Sequence, residues 1–145
     1  MAKQLYVVGV DGSEWSQRAT DRAIKLAAQT GASVSVVYAL DYNSGNPLAT
    51  KGIIPDNINQ AEEEENIKNT ILQPMIDKSE LSNVNVNAVV LWGEPVDKIH
   101  HFVKTEKASM VFVGRRGRSQ FADLVLGSVA NKIAHCSGVP VVLVP

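Results

Sequence analysis

The amino-acid sequence predicts a doubly wound, Rossmann-like α/β fold, with about four helices covering both faces of a five-stranded parallel sheet. Three observations carry this expectation. Short apolar runs alternate along the chain with segments of helical periodicity. Most of those runs are continuously apolar, as strands buried on both faces are, rather than alternating as half-exposed strands do. The length of 145 residues suits one domain, residues 1–145, with a core of its own, and is too short for two ordinary ones.

The first strand is read over Gln4–Val10, a valine-rich run that stops at Asp11-Gly12-Ser13, residues that turn chains and cap helices. A helix follows from Glu14 to Thr30: Trp15, Ala19, Ala23, Leu26 and Ala27 recur at helical spacing, and Gly31 stands where a left-handed cap would fall. Ser33–Leu40 is the second strand. Asp41–Asp56, with Gly45, Pro47, Gly52 and Pro55, reads as a long loop, which in a compact domain usually covers a site or meets a partner. Asn57 to Lys78 is helical in composition; Glu62–Glu65 suit the start of a helix dipole and are expected to form a solvated face, and Pro74 should kink or divide the helix.

Val84, Val86, Ala88 and Val90 alternate with their neighbours and give the third strand. Trp92-Gly93-Glu94-Pro95 then turns the chain, with Pro95 at the first position of a helix carrying Val96, Ile99 and Val103. Trp92 is expected either to cover the sheet or to meet a second subunit. Met110–Val113 is the fourth strand, Ser128–His135 the last helix and Val139–Val144 the fifth strand. Right-handed crossovers link the parallel strands.

Composition excludes several classes of function. With 45% hydrophobic and 20% charged residues the chain reads as a soluble globular protein, and no segment approaches the roughly 18–20 apolar residues that span a bilayer. The N-terminal residues lack the apolar core and cleavage site of a secretory signal. Cys136 is the sole cysteine, so no intrachain disulfide forms; this fits a cytoplasmic protein, and Cys136 is expected to be a small helix-packing residue. A net charge of −1 argues against attachment to nucleic acid or to an acidic membrane. His100 and His101 are adjacent on a helix, point about 100° apart and do not make a two-ligand metal face. His135 lies near a helix C-terminus, where positive charge is favourable.

In open α/β sheets, ligands sit beyond the carboxyl ends of the strands where strand order reverses. Three such ends carry chemistry here: Val10-Asp11-Gly12-Ser13, Ala39-Leu40-Asp41 and Gly114-Arg115-Arg116-Gly117. Gly114 and Gly117 either let the backbone approach an anion or adopt positive φ to turn amides inward. Gly127-Ser128 opens the last helix, where backbone amides and the dipole favour a second anion contact. Together these make a polyphosphate site. Asp11 would repel phosphate directly; it suits ribose hydroxyls, a base or a bound Mg²⁺. Arg115, Arg116 and Arg118 offer paired donors to phosphate, with Arg116 the preferred ligand, the other two serving equally well as solvated loop charges, and Ser119 adding a hydroxyl. Neither a P-loop nor a dinucleotide fingerprint is present. Trp15 is expected to pack rather than to stack on a base.

Gly114-x-x-Gly117, nine residues, then Gly127-Ser128 resembles the G-2x-G-9x-G-[ST] nucleotide motif of the universal stress protein family. The similarity extends to VVGVDGSEWSQRA, GEPVDKI and SGVPVVLVP, in the family's order. The resemblance implies an ATP-binding domain with strand order 3-2-1-4-5, usually homodimeric. By position it implies that Asp11, with Gly9 and Val10, contacts the nucleotide, and that the Ala39 backbone meets adenine. Gly114, Gly117, Gly127 and Ser128 would then touch phosphate and ribose, flanked by Val113, Arg116 and Val129, with Mg²⁺ entering through the phosphates. Arg115-Arg116 departs from the family, many members of which have one small or polar residue beside one Arg or His.

The expected function is a regulatory, nucleotide-dependent stress-response dimer, paired through the apolar Val139–Val144 edge strand. No Ser-His-Asp order, carboxylate pair or metal cluster stands out, so ATP hydrolysis or self-phosphorylation is expected to be slow at most. Two rival readings are a dimeric interaction module that does not use nucleotide and an adenylyl-transfer enzyme. The latter would carry H-x-G-H or S-G-G-x-[DS], and neither occurs.

Overall fold

The computed structural model describes residues 3–40, 59–79, 83–117 and 126–145. The expected loop Asp41–Asp56, together with Arg118 and Ser119, lies outside the described residues. Five parallel strands form one sheet in the order β3-β2-β1-β4-β5: β1 Leu5–Val10, β2 Ser33–Leu40, β3 Val86–Trp92, β4 Met110–Gly114 and β5 Val141–Val144. Helix α1 is Glu14–Thr30, α2 Gln60–Ile67, α3 Gln73–Asp77, α4 Pro95–Thr105 and α5 Ser128–Cys136. A π-turn, Lys68–Leu72, joins α2 to α3, so that four helical rods pack on the sheet.

Side chains alternate across the strands and divide the core in two. On one face Tyr6, Val8, Val34, Val36 and Phe112 meet Ala19, Ala23, Ile24 and Ala27 of α1, and Ile67, Leu72 and Met75 of the α2–α3 rod. On the other, Val7, Val37, Val111 and Val113 meet Val96, Ile99 and Val103 of α4 and Ala130 and Ile133 of α5. The central strands are therefore covered on both sides, which is why they read as unbroken apolar runs.

Local chemistry sets most element ends. The Ser13 hydroxyl caps α1 by accepting from the Ser16 amide, and Gly31 closes it at φ 79° with its N–H on the Ala27 carbonyl. Asn59 caps α2, so that rod begins at Gln60 rather than at Asn57. Pro74 has no N–H to donate, and the rod accommodates it with a register shift rather than a break: the Gln73 N–H reaches five residues back to the Lys68 carbonyl. Glu94 caps α4 through both carboxylate oxygens, on the amides of Val96 and Asp97.

Four further expectations are corrected. β3 starts at Val86, not Val84, and runs through Trp92, which pairs with Leu40 instead of lying in the turn. The Trp92 indole N–H donates to Glu64 at 2.6 Å, so the acidic run of α2 is not wholly a solvated face. β5 is shorter than Val139–Val144, because the Ser137 hydroxyl takes both the N–H and the carbonyl of Val139, withdrawing them from pairing. Cys136 is exposed rather than packed, since the buried stripe of α5 ends one turn earlier at Ile133.

Phe112 is 1% exposed at the centre of the sheet, its ring 5.6 Å from that of Tyr6. Phe112→Ala is expected to lower unfolding free energy by about 3–5 kcal/mol, measured by chemical denaturation.

Candidate functional site

The strand order reverses between β1 and β4, whose connections leave in opposite directions, so their carboxyl ends open onto a crevice. A cavity of about 310 Å³ occupies it, at the small end of ligand sites. All eleven residues singled out from the sequence line this one cavity: Gly9, Val10, Asp11, Ala39, Val113, Gly114, Arg116, Gly117, Gly127, Ser128 and Val129. Arg115 does not line it; its exposed side chain lies outside while its backbone ties the wall together.

That tie is direct. The Arg115 N–H donates to the Val144 carbonyl at 2.7 Å, and the Arg115 carbonyl accepts from the Gly127 N–H at 2.7 Å. The turn after β4, the start of α5 and the end of β5 are thus one hydrogen-bonded unit. Gly127, buried against the backbone of Arg115–Gly117, leaves α5 with no side-chain cap, in contrast to the starts of α1, α2 and α4. Ser128, Val129 and Ala130, the residues of that uncapped first turn, all border the cavity. Positive partial charge and amides without a side-chain cap therefore face it.

Arg116 supplies the full positive charge. Its Nε is buried with no hydrogen-bond partner among the described residues. A buried guanidinium N–H costs more to leave unpaired than an ordinary donor, so this atom calls for an acceptor beyond those the described residues supply. Opposite lies Asp11, whose Oδ1 accepts from the Ser13 N–H at 2.9 Å, fixing the carboxylate beside the start of α1. The positive-φ glycine of the site is neither Gly114 nor Gly117 but Gly12, at φ 84°, which turns the chain between Asp11 and the cap.

Gly114 and Gly117 serve close approach instead. A Cβ at Gly114 would stand 2.8 Å from the Trp15 Cβ and 2.9 Å from its carbonyl carbon; one at Gly117 would stand 2.6 Å from Asp11 Oδ2. Trp15 is half-buried, with its Cβ and backbone against Gly114.

Ser16, Tyr38, Leu40, Pro95, Ile99 and Ala130 also line the cavity without having been singled out. Ser16 follows the Ser13 cap at the spacing of one turn, a signal present in the sequence; its buried hydroxyl donates to the Ser13 carbonyl. Pro95 and Ile99 arrive only because α4 packs beside β2, a tertiary fact. Among the described residues no group of three or more His, Cys, Asp or Glu could hold a metal ion. His100, His101 and His135 are exposed and do not line the cavity. No described helix is long and apolar enough to cross a membrane.

The model of the universal stress protein family matches residues 6–145. The universal stress protein YxiE of Bacillus subtilis is 29% identical, over 95% of this chain and 96% of its own. A universal stress protein of Mycobacterium tuberculosis is 31% identical, over 99% and 97%. Among solved structures, a universal stress protein in complex with cAMP is 28% identical, with a TM-score of 0.71 over 99% of this chain and 98% of that one.

Because backbone as well as side-chain atoms of Trp15 block the space beside Gly114, Gly114→Ala is expected to cost about 1–3 kcal/mol and to shift tryptophan emission, read by fluorescence-monitored denaturation.

Proposed function

Because the chain belongs to the universal stress protein family, we propose that it is a nucleotide-binding regulatory protein, a single cytoplasmic domain whose cavity at the ends of β1 and β4 holds ATP or another adenine nucleotide. The observation that carries this reading is the buried Arg116 Nε, without a partner among the described residues, beside the uncapped start of α5, two donor groups bordering one space. Phosphate answers both. The base lies on the apolar side, against Ala39, Leu40, Pro95 and Ile99, and Asp11 accepts from ribose hydroxyls. Gly9, Val10 and Val113 form the floor between them, and Val129 the rim. The relative solved with cAMP supports adenine recognition in this family.

Where Mg²⁺ accompanies a polyphosphate, Asp11 is the carboxylate of the cavity lining that could serve it; the phosphates would supply most of its oxygens. In this reading the nucleotide acts as an effector, and any hydrolysis or self-phosphorylation is slow. The chain pairs with a second copy through β5, the sheet edge where Leu143 stands 37% exposed.

A second reading, an interaction module that does not use nucleotide, is favoured by one observation. Trp15 and Asp11 by themselves account for glycine at 114 and 117. It leaves the Arg116 Nε and the open α5 terminus without a purpose.

Purified protein, denatured and analysed by mass spectrometry, is expected to release an adenine nucleotide, and calorimetric titration with ATP, AMP and cAMP to show saturable binding. Absence of both outcomes would establish the module reading instead. Arg116→Gln is expected to weaken AMP binding about tenfold or more while leaving adenosine unaffected. Light scattering after size-exclusion chromatography should give a dimer at micromolar concentration, and Leu143→Asp a monomer.

A further inference from the structure

We infer that Gly117 is a positioning residue for Asp11: its missing side chain is the space the Asp11 carboxylate occupies, so a phosphate-motif glycine sets the geometry of the ribose and base side of the cavity. The inference rests on the proposed nucleotide site and assigns Gly117 a role other than contact with phosphate.

Two observations bear on the place of the Asp11 carboxylate. Oδ1 is held by the Ser13 N–H at 2.9 Å, within the turn that Gly12 makes at φ 84°. Oδ2 lies where a Cβ on Gly117 would be only 2.6 Å away, inside the 3.0 Å that real Cβ contacts respect. The backbone of Gly117 does not itself require glycine, because its φ is not positive. The requirement is steric and comes from one carboxylate oxygen.

An alanine at 117 would therefore fold readily. The obstructing atom ends a short side chain that can rotate, unlike the backbone carbon that obstructs position 114. Rotation would carry Oδ2 off its place and strain the bond from Oδ1 to Ser13. Stability changes little while the carboxylate moves. In this arrangement the β4–α5 turn acts as a stop against which the β1–α1 turn presents its acceptor.

The test is Gly117→Ala in the wild type and in Asp11→Ala, titrated with AMP and with adenosine. If Gly117 acts through Asp11, the substitution weakens AMP and adenosine by the same factor, about tenfold for a displaced charged hydrogen bond. In the Asp11→Ala background it changes neither. An equal loss of AMP affinity in both backgrounds overturns the inference, as does a loss for AMP with adenosine unaffected, which would make Gly117 a phosphate contact. Should Gly117→Ala fail to fold, recovery of folding in the double variant supports the inference and its absence overturns it. If the wild type binds neither ligand, the nucleotide reading fails by itself. The positioning role is then decided in ligand-free protein by NMR: the Asp11 carboxyl carbon and Ser13 amide resonances move in Gly117→Ala if the carboxylate is displaced, and stay in place if it is not.

Discussion

The parallel pairing of β1 with β4 is the constraint on which the cavity depends. Tyr6 to Gly9 run beside Met110 to Val113, bringing Asp11 and Gly114 to the same end of the sheet although about a hundred residues separate them in sequence. The crossovers force the rest. α1 and the α2–α3 rod occupy one face, α4 and α5 the other, and the crevice lies where the two sets part. Gly9 belongs to this constraint, since a Cβ there would stand 2.9 Å from the Ile99 Cδ1 and 3.3 Å from the Val113 Cγ1, so that the Ile99 side chain would have to give way.

Once the strands are paired, the two turns above them must share a small volume. They do so by interlocking: Trp15 lies against Gly114 and the Asp11 carboxylate against Gly117. The same turns are braced from outside, with Ile71 of the π-turn packed near Gly12 and the Arg115 backbone bridging Val144 and Gly127. The described ends of these connections are thereby held to one another by backbone hydrogen bonds and side-chain contact, which is what preorganised recognition requires.

The alternation of strands and helices and the two covered faces of the sheet were legible from local or periodic signals, β-branched runs, helical spacing and Gly31 as a cap, whereas strand order and most of the cavity residues came from the resemblance of the glycine spacing and its flanking segments to a known family. What escaped the sequence depended on partners distant along the chain. Glu64 read as solvated because nothing local announces that Trp92 will reach it. Val139 read as strand because its apolar side chain hides the hydroxyl of Ser137, which takes its backbone out of the ladder. Pro74 was recognised as a disturbance, yet its form, a π-turn within a continuous rod, follows from packing of Ile67, Leu72 and Met75 on one core. Positive φ at Gly12 instead of Gly114 or Gly117 shows the same limit: spacing identifies a glycine, while only its neighbours say whether it is there for conformation or for room.

The bridging role of Arg115 bears on how occupancy of the cavity could be felt elsewhere. Its N–H bonds to Val144, the last residue of the edge strand, and its carbonyl to Gly127, at the helix start facing the cavity. An anion drawn to Arg116 and the amides of α5 acts within one residue of that bridge. Binding alone transmits nothing; a shift follows only if the ligand favours one arrangement of this unit over another. The unit is suited to such a preference because its parts are shared: the residues that would grip the ligand also anchor β5, the edge strand of the described sheet. A change in the turn of even a few tenths of an ångström would have to be taken up by β5 or by α5, since the two short backbone bonds leave little slack between them.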